Sequence, residues 1–203
     1  MKLLIAVPCL DQMPVQFVNS LVQLDKPCET EIVFSSGSLV YDARNQLAQT
    51  AIQSGADAVL WVDSDMTFTP DLAQKLLADI ESGCDVVTSL CFRRKPPFIP
   101  VIWKNVAERE IMVEYPSDEL FEVDACGFGC VMVKTDVLKA TTAVYGKPFC
   151  PFDGHGEDVA FCIRAKELGF KLFCDSRVKV GHVGTAIIDE DFFKGWYAHA
   201  RQG

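Results

Sequence analysis

This sequence has no apolar run long enough to cross a membrane, no Cys-x-x-Cys pair and no excess of basic residues. Each absence removes a class of protein. A spanning helix needs about 20 consecutive apolar residues, and the stretch that opens the chain, MKLLIAVPCLDQ, is stopped at Pro8. No small-residue cleavage site follows it, so it reads as a first strand rather than a secretory leader. Nine cysteines lie scattered through apolar segments. An odd count without paired spacing argues against a disulfide framework or a structural zinc, and for a reducing, cytoplasmic compartment. Lys and Arg number 19 against 28 Asp and Glu, a formal net charge of −9, which speaks against a general nucleic-acid binder. An acidic chain that handles a phosphate ester needs a cation between the two. No P-loop is present, and CGFGC (126–130) lacks the third glycine and the following helix of a dinucleotide fingerprint. No repeat, low-complexity tract or interdomain linker interrupts the 203 residues, so one domain is expected over 1–203.

What is present is an alternation of strand and helix patterns. KLLIAVP (2–8), EIVFSSG (31–37), AVLWV (58–62) and DVVTSLCF (85–92) read as strands. Between them VQFVNSLVQL (15–24), LVYDARNQLAQTAIQSG (39–55) and TPDLAQKLLADIESG (69–83) carry helical spacing. Thr69 is expected at the N-cap of the third helix and Gly83 at its end. The order βαβαβαβ predicts an α/β fold with a mainly parallel sheet flanked by helices, whose ligands bind beyond the carboxyl ends of the strands. Past RRKPPFIP (93–100) the pattern changes: PVIWKN and EIMVEY suggest a small antiparallel portion, and 121–135 is strand-like but broken by Gly127 and Gly129. DVAFCIRAKELG (158–169) reads as a helix, KLFCDS (171–176) as a strand, KVGHVG (179–184) as a strand and turn, and DEDFFKGWYAHA (189–200) as a closing amphipathic helix.

WVDSDM (61–66) puts Asp63 and Asp65 at a strand end, on one side if the backbone stays extended. Thr69 already serves to cap the next helix, and two carboxylates so close repel unless a cation sits between them. Oxygen ligands suit Mg²⁺ or Mn²⁺ shared with substrate phosphates. DSDMT also fits the Asp-x-Asp-x-Thr signature of haloacid-dehalogenase-like phosphatases, with Asp63 as nucleophile. There, however, the motif ends the first core strand, and here two strand–helix units precede it. Glu157 and Asp158 follow the glycine-rich DGHG at a helix start. They either complement the helix dipole or present a general base. His182, between glycines in VGHVG, reads by itself as structural, and Arg93, Arg94 and Lys95 as a solvated loop, with contact to an anionic ligand as the alternative.

The ordered set VPCLD, YDARNQLAQ, VDSDM, CGFGCVMVKTDVL and GEDVAFCIRAKELGFKLFCDSRVKVGHVG resembles the GT-A glycosyltransferases, in particular their family-2-like branch. The similarity covers almost the whole chain. It implies a nucleotide-binding half over about 1–92 and an acceptor and catalytic half over about 93–203. Pro8 to Asp11, with Ser35 and Ser36, would line the base pocket, and Arg44 and Asn45 would face the donor. Asp63 would contact the ribose or metal-bound water, Asp65 would ligate the metal, and His182 would be a further metal ligand. Gly127, Phe128 and Gly129 would wall the sugar. Asp158 would be the base of an inverting reaction, with Glu157 beside it. The resemblance implies a UDP- or GDP-sugar donor, a divalent cation, Mn²⁺ or Mg²⁺, and a glycan, lipid-linked or protein-linked acceptor. A non-catalytic nucleotide-sugar-binding module is a further alternative.

Overall fold

The computed structural model describes residues 1–37 and 39–185; the closing amphipathic helix expected at 189–200 lies outside them. Among the described residues, eleven strands and five helices run in the order β1 (Lys2–Cys9), α1 (Val15–Gln23), β2 (Glu29–Ser36), α2 (Val40–Ser54), β3 (Ala58–Val62), β4 (Met66–Phe68), α3 (Leu72–Glu81), β5 (Val86–Leu90), β6 (Ile102–Asn105), β7 (Glu110–Ile111), β8 (Leu120–Glu122), β9 (Ala125–Cys126), β10 (Cys130–Lys134), α4 (Thr135–Tyr145), α5 (Glu157–Glu167) and β11 (Leu172–His182).

The main sheet has the order β2-β1-β3-β10-β5-β11-β4, with β8 also paired to β11. β1 lies parallel to β2 and β3, and β5 parallel to β11. β3 and β5 are buried along their whole length, which is why β3 reads as an unbroken apolar run, while β5 carries two small buried polar residues, Thr88 and Ser89. Their side chains alternate between two cores. Val59 and Trp61 join Leu47 of α2, Leu138 of α4 and Phe161 of α5 on one face. Leu60 and Val62 join Phe17 of α1 and Leu76 of α3 on the other. A second sheet, β7-β6-β9, is antiparallel, as the middle of the chain suggested, although only Glu110 and Ile111 of EIMVEY join it.

β10 runs antiparallel between β3 and β5, so those two strands are not neighbours. Two local expectations need correction. Residues 171–184 do not form two strands: β11 is one, with a register shift between Asp175 and Lys179. Thr69 does not cap α3. Its hydroxyl is spent on Asp71 Oδ1 at 2.6 Å, its carbonyl accepts the Leu72 N–H in a turn, and the helix starts at Leu72.

α3 and β11 meet through a buried pair of acids. Arg177 donates from Nη2 to Asp79 Oδ1 at 3.0 Å and from Nε to Asp175 Oδ1 at 2.8 Å, while Asp79 Oδ2 is buried without a partner. Burial, then the adjacent Asp175, pushes the Asp79 carboxyl up to about 6. Burial also raises Asp175, but the hydrogen bonds from Arg177 outweigh it and hold that carboxyl low. Folded Asp79 therefore holds its proton more tightly than the unfolded chain does. Its contribution is favourable near pH 4 and is lost as pH rises through about 6. Asp79→Asn, which keeps both hydrogen bonds and removes the buried charge, is expected to raise stability at pH 7 by about 1–3 kcal/mol. It should also flatten the pH dependence between about 4 and 6. Urea unfolding of both proteins at several pH values checks this; an unchanged slope would rule out Asp79 as its source.

Candidate active site

Strands β1, β2 and β3 are parallel, and β5 shares their direction because β10 runs against both β3 and β5, so their carboxyl ends open on the same edge of the sheet. Two cavities lie there. The smaller, about 260 Å³, is lined by Pro8 and Cys9 at the end of β1 and Leu10 after it, Gly37 after β2, and Asp63, Ser64 and Asp65 after β3. The larger, about 320 Å³, is lined by Asp63, Arg93, Arg94 and Lys95, the Gly127–Gly129 segment, Asp158 and His182. Asp63 belongs to both.

The backbone does not stay extended through Asp63-Ser64-Asp65. The Met66 N–H donates to the Asp63 carbonyl at 3.1 Å, a turn, so the two carboxylates meet different partners. Asp63 Oδ1 accepts from Arg44 Nη2 at 2.8 Å. Arg44 also reaches Glu157 Oε1 from Nε at 3.4 Å, and its guanidinium carbon lies 5.3 Å from the Phe128 ring centroid. At 2% exposure, Arg44 does not face a ligand; it holds Asp63 and Glu157 from behind. Burial is the main effect raising the Asp63 carboxyl, with Asp65 and Glu157 adding to it and Arg44 opposing it.

Asp65 faces the other way. The Val183 N–H donates to its carbonyl at 2.8 Å, and the β4–β11 pairing sets His182 opposite Met66. His182 Nε2 thereby comes within 3.3 Å of Asp65 Oδ2, while Nδ1 lies 2.9 Å from the Phe92 carbonyl. Arg94 forms an ion pair with the same Asp65 oxygen. Burial raises Asp65, but the His182 hydrogen bond and charge and the Arg94 guanidinium prevail and hold it below the usual carboxylate range. The Asp65 hydrogen bond in turn raises the His182 imidazole.

Asp65 and His182 fit a divalent cation. Neighbouring ligands on an octahedral Mg²⁺ or Mn²⁺ with bonds near 2.1 Å stand about 3 Å apart. With Nδ1–H directed at the Phe92 carbonyl, Nε2 is the atom left to ligate once its proton is lost. Arg94 marks the spot as one that attracts positive charge. Among the described residues no three His, Cys, Asp or Glu side chains converge as a complete cage. A cation that shares substrate phosphates needs only one or two protein carboxylates. The expected trio is thus split, with Asp65 and His182 together and Asp63 turned to Arg44.

Asp158 stands in the first turn of α5 and points toward the Gly127 segment. A Cβ on Gly127 would lie 3.6 Å from Asp158 Oδ2 and 2.8 Å from Val101 Cγ1, so a side chain there would crowd the wall of the larger cavity. Burial, then the Glu157 charge, raises the Asp158 carboxyl; the Val159 N–H, donating to Oδ1 at 2.8 Å, opposes this. Phe128 is buried with Trp61, Phe149 and Phe161, so its ring anchors the segment that lines the larger cavity.

Several expected residues fall elsewhere. Asn45 donates to the Tyr41 carbonyl at 2.8 Å and accepts from the Phe149 N–H at 3.1 Å; it ties α2 to the 149 loop and faces neither cavity. Ser35 Oγ donates to Gln46 Oε1 at 3.1 Å, and Ser36 lines a separate cavity of about 210 Å³ with Leu39 and Asp42, which meets the smaller cavity at Gly37. Asp11 is exposed and lines neither cavity. Arg93, Arg94 and Lys95 are exposed, as a solvated loop would be, and they also line the larger cavity. Their one sequence signal was three adjacent cations in an acidic chain, just after a strand end.

No family model matches this sequence, and no curated protein matches it either. Solved structures do. The protein A197 from STIV is similar with a TM-score of 0.68 at 21% identity, over 94% of this chain and 87% of that one. GalNAc-T7, in a crystal structure with UDP, GalNAc and Mn²⁺, is similar with a TM-score of 0.64 at 11% identity, over 91% of this chain and 43% of that one. TarS of S. aureus is similar with a TM-score of 0.59 at 17% identity, over 96% of this chain and 38% of that one. This chain thus spans less than half of GalNAc-T7 and of TarS. None of its helices among the described residues is long and apolar enough to cross a membrane. At such identities the likeness bears on the backbone alone, and the backbone of this chain has the GT-A fold.

Proposed function

We propose that the protein is a metal-dependent glycosyltransferase. It moves a sugar from a nucleoside-diphosphate sugar to an acceptor hydroxyl with inversion, and Asp158 is its general base. The observation that carries this reading is the convergence at one sheet edge. Asp65 paired with His182, the Gly127–Gly129 wall and Asp158 surround two adjoining cavities that share Asp63.

The nucleoside occupies the smaller cavity between Pro8–Leu10 and Gly37, and the sugar occupies the larger one against Gly127–Gly129. The diphosphate lies between them at the Asp63–Asp65 turn. UDP is the first choice of nucleotide, since the similar GalNAc-T7 was crystallised with it. Asp65 and His182 would hold the divalent cation, which when bound would supply Lewis-acid stabilisation of the charge on the leaving diphosphate. Arg44 fixes Asp63 at the shared wall and Glu157 beside the base. Asp158 accepts the proton of the attacking hydroxyl; its raised carboxyl brings its affinity for that proton toward what a base at neutral pH needs. Nine free thiols fit the reducing cytoplasm. The phosphatase alternative is disfavoured, because Asp63 is held by a buried arginine and the fold is GT-A.

The test is thermal unfolding with UDP-, GDP-, CDP- and dTDP-sugars, each with and without Mn²⁺. A donor at a hundred times its Kd stabilises by about 2.7 kcal/mol, a shift of about 5–10 °C for a chain of this size. Asp65→Ala should lose the Mn²⁺-dependent part of that shift and keep the fold, because the side chain lies at the cavity rim. Equal Mn²⁺-dependent stabilisation in both proteins would remove Asp65 from the metal site. A donor that binds without any turnover would favour the non-catalytic module.

A further inference from the structure

The Arg94–Asp65 ion pair stands where the two cavities meet: Arg94 lines the larger and Asp65 the smaller. A nucleoside-diphosphate sugar laid through both cavities has to cross this pair. We propose that Arg94 is a phosphate-binding residue whose guanidinium is stored on Asp65 in the free protein. It passes to the donor diphosphate when a divalent cation takes its place on Asp65. The proposal rests on the donor-site reading above and adds a partner exchange to it.

The two acids of the turn are neutralised differently. The cation of Asp63 is Arg44, 2% exposed and wedged between two carboxylates. The cation of Asp65 is Arg94, whose side chain is 49% exposed, and exposed ion pairs are weakly held. One acid therefore has a permanent counter-charge and the other a removable one. The loop bearing Arg94 is built to let the side chain move while its backbone stays. Its base is closed by the Arg93 N–H on the Ile99 carbonyl at 3.0 Å and by pairing of Phe92 with Pro100. Its flank is packed so closely that a Cβ on Gly184 would lie 3.1 Å from the Arg94 carbonyl oxygen.

Charge decides when the exchange happens. A divalent cation arriving alone at Asp65 and His182 meets the Arg94 guanidinium and must displace it with nothing to receive it. Cation and diphosphate arriving together give each positive group a negative partner, and arginine binds phosphate oxygens with two parallel hydrogen bonds. Arg93 and Lys95, lining the same cavity, add to the attraction. Cation and nucleoside diphosphate should therefore each tighten the binding of the other, as linkage requires, with Arg94 as a source of the coupling.

The test is calorimetric titration of wild type, Arg94→Ala and Arg94→Lys. The ligands are MnCl₂ alone and UDP or GDP in saturating Mn²⁺, using whichever nucleotide wild type binds tighter. Arg94→Ala should bind Mn²⁺ alone about two- to fivefold more tightly, because Asp65 is freed from a weak competitor. It should bind the nucleotide with Mn²⁺ about 10- to 100-fold more weakly, because a charge-assisted bond to phosphate is lost. Arg94→Lys should fall between the two proteins. Opposite signs from one substitution are not what a merely structural loop residue produces. Unchanged affinities, or both weakened together, would overturn the exchange while leaving the donor site in place. Wild type that binds neither nucleotide with Mn²⁺ would overturn the donor-site reading and the exchange with it.

Discussion

Asp158→Asn is expected to reduce sugar transfer by about 10²- to 10⁴-fold, the usual scale for losing a positioned base, with donor binding near wild type. The amide keeps the volume of the carboxyl and can still accept the Val159 N–H at Oδ1; only the capacity to take a proton disappears. A role confined to the helix dipole predicts a different pattern: a stability loss of about 1 kcal/mol or less with turnover nearly intact. The carboxyl is raised by burial and by Glu157, so wild-type transfer should fall as pH drops through its range and the base becomes protonated. In Asp158→Asn that limb should be gone. Transfer rate against pH, donor affinity and melting temperature on the same variant separate the alternatives, and the anomeric configuration of the product tests inversion independently. Wild-type transfer in this variant would end the assignment.

The largest effect on stability is expected at Arg44. Its Nη2 and Nε serve Asp63 and Glu157 at 2.8 and 3.4 Å, and it is 2% exposed. Arg44→Ala leaves both carboxylates without their shared cation, which should cost about 3–5 kcal/mol. The cost should depend on pH. Burial and Asp65 already raise the Asp63 carboxyl against the pull of Arg44, and losing that pull raises it further. The folded variant then holds a proton that the unfolded chain has released, so its stability is greatest at acid pH and is lost as pH rises. Unfolding in urea at pH 5 and 7.5 should show the larger deficit at pH 7.5. Arg44→Met combined with Asp63→Asn should recover part of it, since replacing both partners leaves less uncompensated charge than removing one. A pH-independent loss below about 0.5 kcal/mol, as at an ordinary surface position, would show that Arg44 does not hold the site together.

Much of this protein follows from sequence without reference to any neighbour. β1 from Leu3 to Val7 and the whole of β3 are apolar because both faces of the sheet are covered, and that composition is legible without any tertiary context. α2 ends at Gly55, in the left-handed conformation at φ 71°, which glycine adopts without strain. Carboxylates at the end of a buried strand are conspicuous for the same local reason: Asp63 follows five consecutive buried residues.

Strand direction and side-chain partners were decided only by the tertiary structure. β10 is as apolar as its neighbours, and nothing in Cys130–Lys134 says that it runs against β3 and β5; hydrophobic pattern encodes which face is buried, not which way the chain travels. Asp63 and Asp65 look equivalent in WVDSDM. The turn between them sends one to a helix arginine and the other to a histidine at the end of β11. Arg44 occupies a helix position that would suit a ligand-facing residue as well as a buried one. Its burial follows from where α5 brings Glu157, far along the chain. The Arg93–Lys95 loop and His182 acquire meaning in the same way. Long-range pairing depends on how the elements pack, and a sequence pattern records each partner without recording the contact.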